Sequence, residues 1–291
     1  FTNLGSIQLG QNRSLVVTGG RLDLSGGTLT GDTLSTLSLS NVTLSTTPAA
    51  MRTRVNFGTG STFAAPFTIP VGDSLRVTGG TLAGPGLQVS GRLIALGSMT
   101  VAAPVTTDPV GAMEVRSSAL GSSVNLSVTN GFTNAGLIEL IAYNAGYTST
   151  FTVTNGTLVN AATGVIRTLV GALGGRTLAA QLDNSGTLDI QQALQLDRAS
   201  AQHVHRSALT LGAANLTVVQ TGTTPSFTNL GSINLATGRT MTVNGGSADF
   251  TGGTFTGDSL ATLALNNVSL GIDAASVRTR IAFGSGTTLT S

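Results

Sequence analysis

Phe1-Thr-Asn-Leu-Gly-Ser-Ile7 recurs as Phe227-Thr-Asn-Leu-Gly-Ser-Ile233. The offset of 226 residues then holds without a gap to the end of the chain. Gly26-Gly27-Thr28 returns as Gly252-Gly253-Thr254, Asn41-Val42 as Asn267-Val268, and Arg52-Thr53-Arg54 as Arg278-Thr279-Arg280. Agreement at about half the aligned positions, with no shift, marks a duplication. The expected organisation is one long repeat unit over 1–226 and the start of the next over 227–291, continuous with the first. The chain opens at Phe1 without a charged n-region or an apolar h-region, and reads as a fragment or processed product.

Shorter phrases sit inside the unit. Asn-x-Gly followed by an apolar alternation occurs at Phe132-Thr-Asn-Ala-Gly-Leu-Ile138 and Leu182-Asp-Asn-Ser-Gly-Thr-Leu188, with a looser copy at Val159-Asn-Ala-Ala-Thr-Gly-Val-Ile166. Pairs such as Leu22/Leu24, Leu37/Leu39 and Phe151/Val153 alternate with Ser, Thr and Asp. That period of two, bounded by Gly and Asn, predicts many short strands. The spacing predicts a coil with turns of roughly 20–25 residues. The expected fold is all-β: a right-handed parallel β-helix, or β-solenoid, elongated to a rod on the order of 60 Å. Antiparallel sandwiches would repeat at about 100 residues, and nothing recurs clearly at that interval. One stretch, Thr187 to Ala208, is poorer in turn residues and is expected to hold a short helix or an excursion loop. Asn3, Gly5, Asn134, Gly136, Asn184, Gly186, Asn229 and Gly231 are expected at corners, where both residue types tolerate φ > 0.

Composition narrows the function. Of 291 residues, 39 are Gly and none is Cys or Trp; all 14 basic residues are Arg, against 12 acids. A disulfide framework and thiolate metal sites are excluded. The high pI reflects two surplus arginines, not a basic surface, and the thin scatter of Arg argues against a nucleic-acid partner. No apolar run is long enough for a membrane-spanning helix. No cofactor is expected.

At the phrases Phe1–Leu9, Phe132–Leu140, Leu182–Ile190 and Phe227–Leu235 the chain resembles the giant β-strand-repeat surface proteins of Gram-negative bacteria, the filamentous-haemagglutinin-like adhesins and autotransporter passengers. The resemblance implies secretion to the cell surface and a role in adhesion, biofilm or a fibrous coat. It carries no catalytic residues over.

Several candidate sites are weighed on their chemistry. Sugar-processing enzymes need clustered carboxylates, and no two of the 12 acids here lie closer than six residues. Stacked turns can nevertheless bring distant acids together. His203-Val-His205 places two rings on one strand face, but zinc needs further ligands; the pair is expected to be exposed in an irregular loop. Gly26 to Leu34 resembles a calcium-binding nonapeptide only faintly, and Asp32 and Asp258 are expected in structural turns. Thr28-Leu-Thr30, Thr254-Phe-Thr256 and Thr150-Phe-Thr152-Val-Thr154 hint at an ice-binding ladder that is not sustained. Arg52 and Arg54, with Arg278 and Arg280, are expected to put two cations on one strand face once per unit, as ligand or assembly contacts. The reading is a structural segment of a secreted, cell-surface fibre, stalk or coat. Its partners are further copies of the repeat, self-association into filaments, and surface glycans. The alternatives are an adhesin that binds host or matrix glycans, and a polysaccharide lyase or hydrolase.

Overall fold

The computed structural model describes residues 1–273, 275 and 277–290. It is all-β and coils as a parallel β-solenoid of about 13 turns. Every strand pairing among the described residues is parallel. Each turn has three sides. Where the corner is sharp, two sides are separate strands; elsewhere they run on as one long strand, as in Val124–Asn134 and Ser149–Asn160. Residues directly above one another lie from 18 to 27 positions apart. No helix of the described residues is long and apolar enough to cross a membrane.

The pleat explains the core. Alternate side chains of a strand point to opposite faces, so one set faces the axis on every turn. Leu75, Leu93, Met113, Ile138, Ile166 and Leu188 stack in register on one side and are all buried. Each contributes on the order of 1.5–3 kcal/mol of burial. Rings fill the wider places: Phe63 stacks on Phe67 at 4.1 Å and meets Phe57 edge-on at 5.5 Å. The outward set is largely Ser and Thr, which satisfy strand geometry without charge.

Thr187 to Ala208 holds no helix and no excursion. It is three ordinary sides of one turn: Thr187–Ile190, Leu194–Asp197 and Gln202–His205. Its turn residues are few because Ser200, at φ 59°, makes the corner that Gly or Asn makes elsewhere.

The corners follow the duplication. Left-handed backbone at Asn12, Gly19, Gly20, Asn41 and Gly60 is repeated 226 residues later at Gly238, Gly245, Gly246, Asn267 and Gly286. The side of the coil is not repeated. Following the pairings along the rod, the column that begins at Ser14–Thr18 passes through Arg92–Ala95 and Leu137–Ala142 to Thr187–Ile190. Beyond Thr187–Ile190 the column takes in Ala208–Leu211, which touches it, and then Ser232–Leu235. By sequence, Ser232–Leu235 is the counterpart of Ser6–Gln8, not of Ser14–Thr18. The second column behaves alike: it starts at Arg21–Asp23 and reaches Thr240–Asn244, the counterpart of Ser14–Thr18. The repeat is therefore a whole number of turns plus one side, and equivalent residues of the two copies face different directions.

Candidate functional site

Three polar constructions interrupt the Ser/Thr surface and the aliphatic axis. The first lies inside. Asn134, Asn160, Asn184, His205 and Asn229 occupy one register column and all are buried. Asn134 Nδ2 donates to Asn160 Oδ1 at 2.9 Å, and Asn160 Nδ2 to Asn184 Oδ1 at 2.7 Å. The hydroxyl of Thr107 begins the chain of bonds at Asn134 Oδ1, 3.2 Å. Each amide also donates to the carbonyl two or four residues on, at Gly136, Gly164 or Gly186. Asn3 and Asn229 do the same to the turn above, through the carbonyls of Thr28 and Thr254.

This corrects the expected role of the Asn-x-Gly phrase. None of Asn3, Asn134, Asn184, Asn229, Gly5, Gly136, Gly186 and Gly231 has a positive φ. The asparagines point inward and satisfy backbone groups that the bend leaves unpaired. Three of the glycines are there for close approach: a Cβ on Gly136, Gly186 or Gly231 would lie 2.3, 2.3 or 2.0 Å from a carbonyl oxygen of the turn below. Gly5 has nothing within 4 Å.

His203 and His205 are not exposed and not in a loop. Both lie on the strand Gln202–His205, 1% and 2% exposed, facing the axis. The expectation failed because the flanking Gln202 and Arg206 look like a surface, while the pleat at 203 and 205 is the inward set. His205 takes the place of an asparagine: its Nδ1 accepts from Asn184 Nδ2 at 3.1 Å, a donor oriented by its second bond to Gly186. His203 Nδ1 accepts from the Leu182 amide at 3.3 Å. In both rings the proton is therefore on Nε2, which has no partner, and both rings line a closed cavity of about 10 Å³ with Leu196, Leu216 and Phe227. Burial, and then Arg198, pushes His203 down to about 4; burial also lowers His205, against the carbonyls of Ser232 and Ser207. No group of three or more His, Cys, Asp or Glu that would hold a metal ion occurs among the described residues.

The second construction is on an outer face. Glu114, Glu139, Arg167 and Asp189 follow one another in register. Stacking thus brings two carboxylates onto adjacent turns, from positions 25 residues apart in sequence. Glu114 is 1% exposed, held by Arg92 and by Arg116 Nε at 2.7 Å. Arg167 lies 3.7 Å from Glu139 and 2.8 Å from Asp189. Burial, and next the Glu114 charge, raises the Glu139 carboxyl above its usual range. The face carries three arginines and three acids, so its charges offset one another.

The third is the arginine cluster. Arg52 and Arg54 do not share one strand. The strand Met51–Arg52 stacks on Thr28–Thr30, the strand Arg54–Phe57 on Thr36–Ser40, and buried Thr53 makes the corner between them. Arg278 and Arg280 straddle the equivalent corner, where Arg280 Nε donates to Thr262 Oγ1 at 3.0 Å. On the next turn up, Arg76 lies directly over Arg54, a juxtaposition not legible in the sequence. The three cations line an open concavity of about 470 Å³ that also touches Asp32 and Asp73. Asp32 is committed to its turn: Oδ1 accepts from the amides of Leu34 and Ser35 at 3.0 and 2.7 Å, and Oδ2 from the Asn12 amide at 3.2 Å. Asp258 binds the amides of Leu260 and Ala261 in the same way, as expected of a structural turn.

Sequence reasoning also missed Arg176. It is 1% exposed and donates to the carbonyls of Leu169, Val170, Ala172 and Gly174. The Thr-x-Thr pairs fall on three different sides of the coil. Comparison of the chain with protein-family models, with curated proteins and with solved structures found no match.

Proposed function

We propose that this chain is a structural segment of a long, secreted, cell-surface fibre, stalk or coat. The observation that carries the reading is the unbroken stack: one aliphatic axis runs through about 13 turns, with outward positions dominated by Ser and Thr. A rod built this way holds material at a distance. Its stability is close to a sum of neighbour terms, so length is added without a new core. The low charge suits the stacking, because like charges would otherwise meet every 4.8 Å or so along the axis. Self-association and contact with surface glycans belong to the same reading.

The experiment is immunogold electron microscopy of the cells that make the protein, paired with negative-stain images of the isolated chain. Label on extracellular filaments, and rods on the order of 60 Å from the isolated chain, are the expected results. Label confined to the cell interior would overturn the proposal.

A further inference from the structure

We infer that the concavity lined by Arg52, Arg54 and Arg76 binds an acidic polysaccharide through its sulfate or phosphate esters. Five other arginines, Arg21, Arg92, Arg116, Arg167 and Arg206, sit against carboxylates. These three make no ion pair and no side-chain hydrogen bond among the described residues. Arg54 and Arg76 are stacked on adjacent turns, about 4.8 Å apart along the axis. Like charges placed directly opposite repel, and nothing within ion-pair distance relieves them. Burial, and next the charge of Arg76, weakens the hold of Arg54 on its proton, while Asp32 acts in the opposite sense from beyond ion-pair distance. Asp32 is already saturated by its own turn, so its charge is not free to serve the cluster.

An oxyanion supplies what the site lacks. The planar guanidinium fork matches sulfate and phosphate esters bidentately. The volume of about 470 Å³ lies in the range of ligand sites rather than of single-ion contacts. The cations are spread over two turns and across a corner, along the rod rather than around a point. A polymer with successive esters meets that layout; a lone anion engages only some of it. The inference does not depend on the fibre reading, since a glycan-binding rod and an inert rod would label alike on cells.

The test is isothermal titration of the full chain with dextran sulfate, unmodified dextran and inorganic sulfate. Dextran sulfate is expected to bind and unmodified dextran not to. Arg76→Gln alone should weaken binding about tenfold, the weight of one charge-assisted bidentate contact. The triple change Arg52→Gln, Arg54→Gln, Arg76→Gln should abolish it, while Arg206→Gln, elsewhere on the rod, leaves it intact. A separate readout does not need the ligand: Arg76→Gln removes the stacked repulsion and should raise the melting temperature at low salt, an effect that fades as salt screens the pair. Dextran sulfate binding equally to the triple variant would overturn the inference. So would inorganic sulfate binding as tightly as the polymer, which would make the site one for a single free anion.

Discussion

At the scale of single residues, the inward polar column does what corners of a coil require. Each bend leaves amides and carbonyls without a partner inside an apolar axis, and an unpaired buried group costs about 1–3 kcal/mol. Asn160 answers this with four bonds, to Asn134, Gly164, Asn184 and Thr187. Asn160→Ala should lower stability by about 3 kcal/mol, read by chemical denaturation, whereas an outward neighbour such as Thr163→Ala should cost far less. His205 continues the column with a group that titrates. Protonating His203 or His205 puts a proton on Nδ1, against the Leu182 amide or the Asn184 amide, donors that cannot accept it. The other residues lining their cavity carry no titratable group, and Arg198 is the charge that acts on His203 from outside it. Both folded-state values lie below the unfolded one near 6.5, so the unfolded chain binds more protons in the interval between. Stability is full above pH 6.5 and falls as the pH drops toward about 4 for His203, by roughly 3 kcal/mol at that end. His203→Leu, matching its aliphatic neighbours, should flatten the dependence of melting temperature on pH between 7 and 4.5; an unchanged slope would locate the acid sensitivity elsewhere.

At the scale of the elements, sides and corners make different demands on glycine. Gly19 has a φ of +74° and open space around it, so Gly19→Ala should cost about 1 kcal/mol for the left-handed backbone alone. Gly80, at +88°, has the Phe57 carbonyl oxygen of the turn below at 1.6 Å from where a Cβ would stand. Gly80→Ala must push adjacent turns apart, and its melting temperature should fall several times further than that of Gly19→Ala; equal losses would contradict the close packing. The longest corner, between Val165–Thr168 and Arg176–Asn184, is held from within by Arg176. Burial of that guanidinium lowers its affinity for its proton, yet it has carbonyl partners rather than a carboxylate. Arg176→Met should speed amide exchange over 169–175 and spare the strands on either side.

At the scale of the whole molecule, contacts are made between adjacent turns, so a defect stays local. Leu93→Ala, between Leu75 and Met113, should cost about 3 kcal/mol. Hydrogen exchange should rise around its own and neighbouring turns, with residues 200–270 unaffected. Exchange rising uniformly would mean that the rod folds as one cooperative unit. The duplication adds a geometric consequence. Because a unit is a whole number of turns plus one side, Arg54 and Arg280 occupy different columns. Successive copies of any surface feature therefore wind around the axis instead of forming a stripe. Lateral assembly through such a feature would favour a bundle twisted about its length over a flat sheet.

Much of this architecture was legible in the residues. Period-two alternation named the strands, the 226-residue echo named the duplication, and Gly and Asn punctuation named a coil. All three are local properties of the chain or direct repetitions of it. The tertiary structure alone decided which residues became neighbours along the axis. Turn lengths vary from 18 to 27 residues, so the register from one turn to the next is not countable from the sequence. A shift of one position turns every side chain to the opposite face. That is why the burial of His203 and His205, the inward Asn134, Asn160 and Asn184, the pairing of Glu114 with Glu139 and the stacking of Arg76 on Arg54 all waited for the fold.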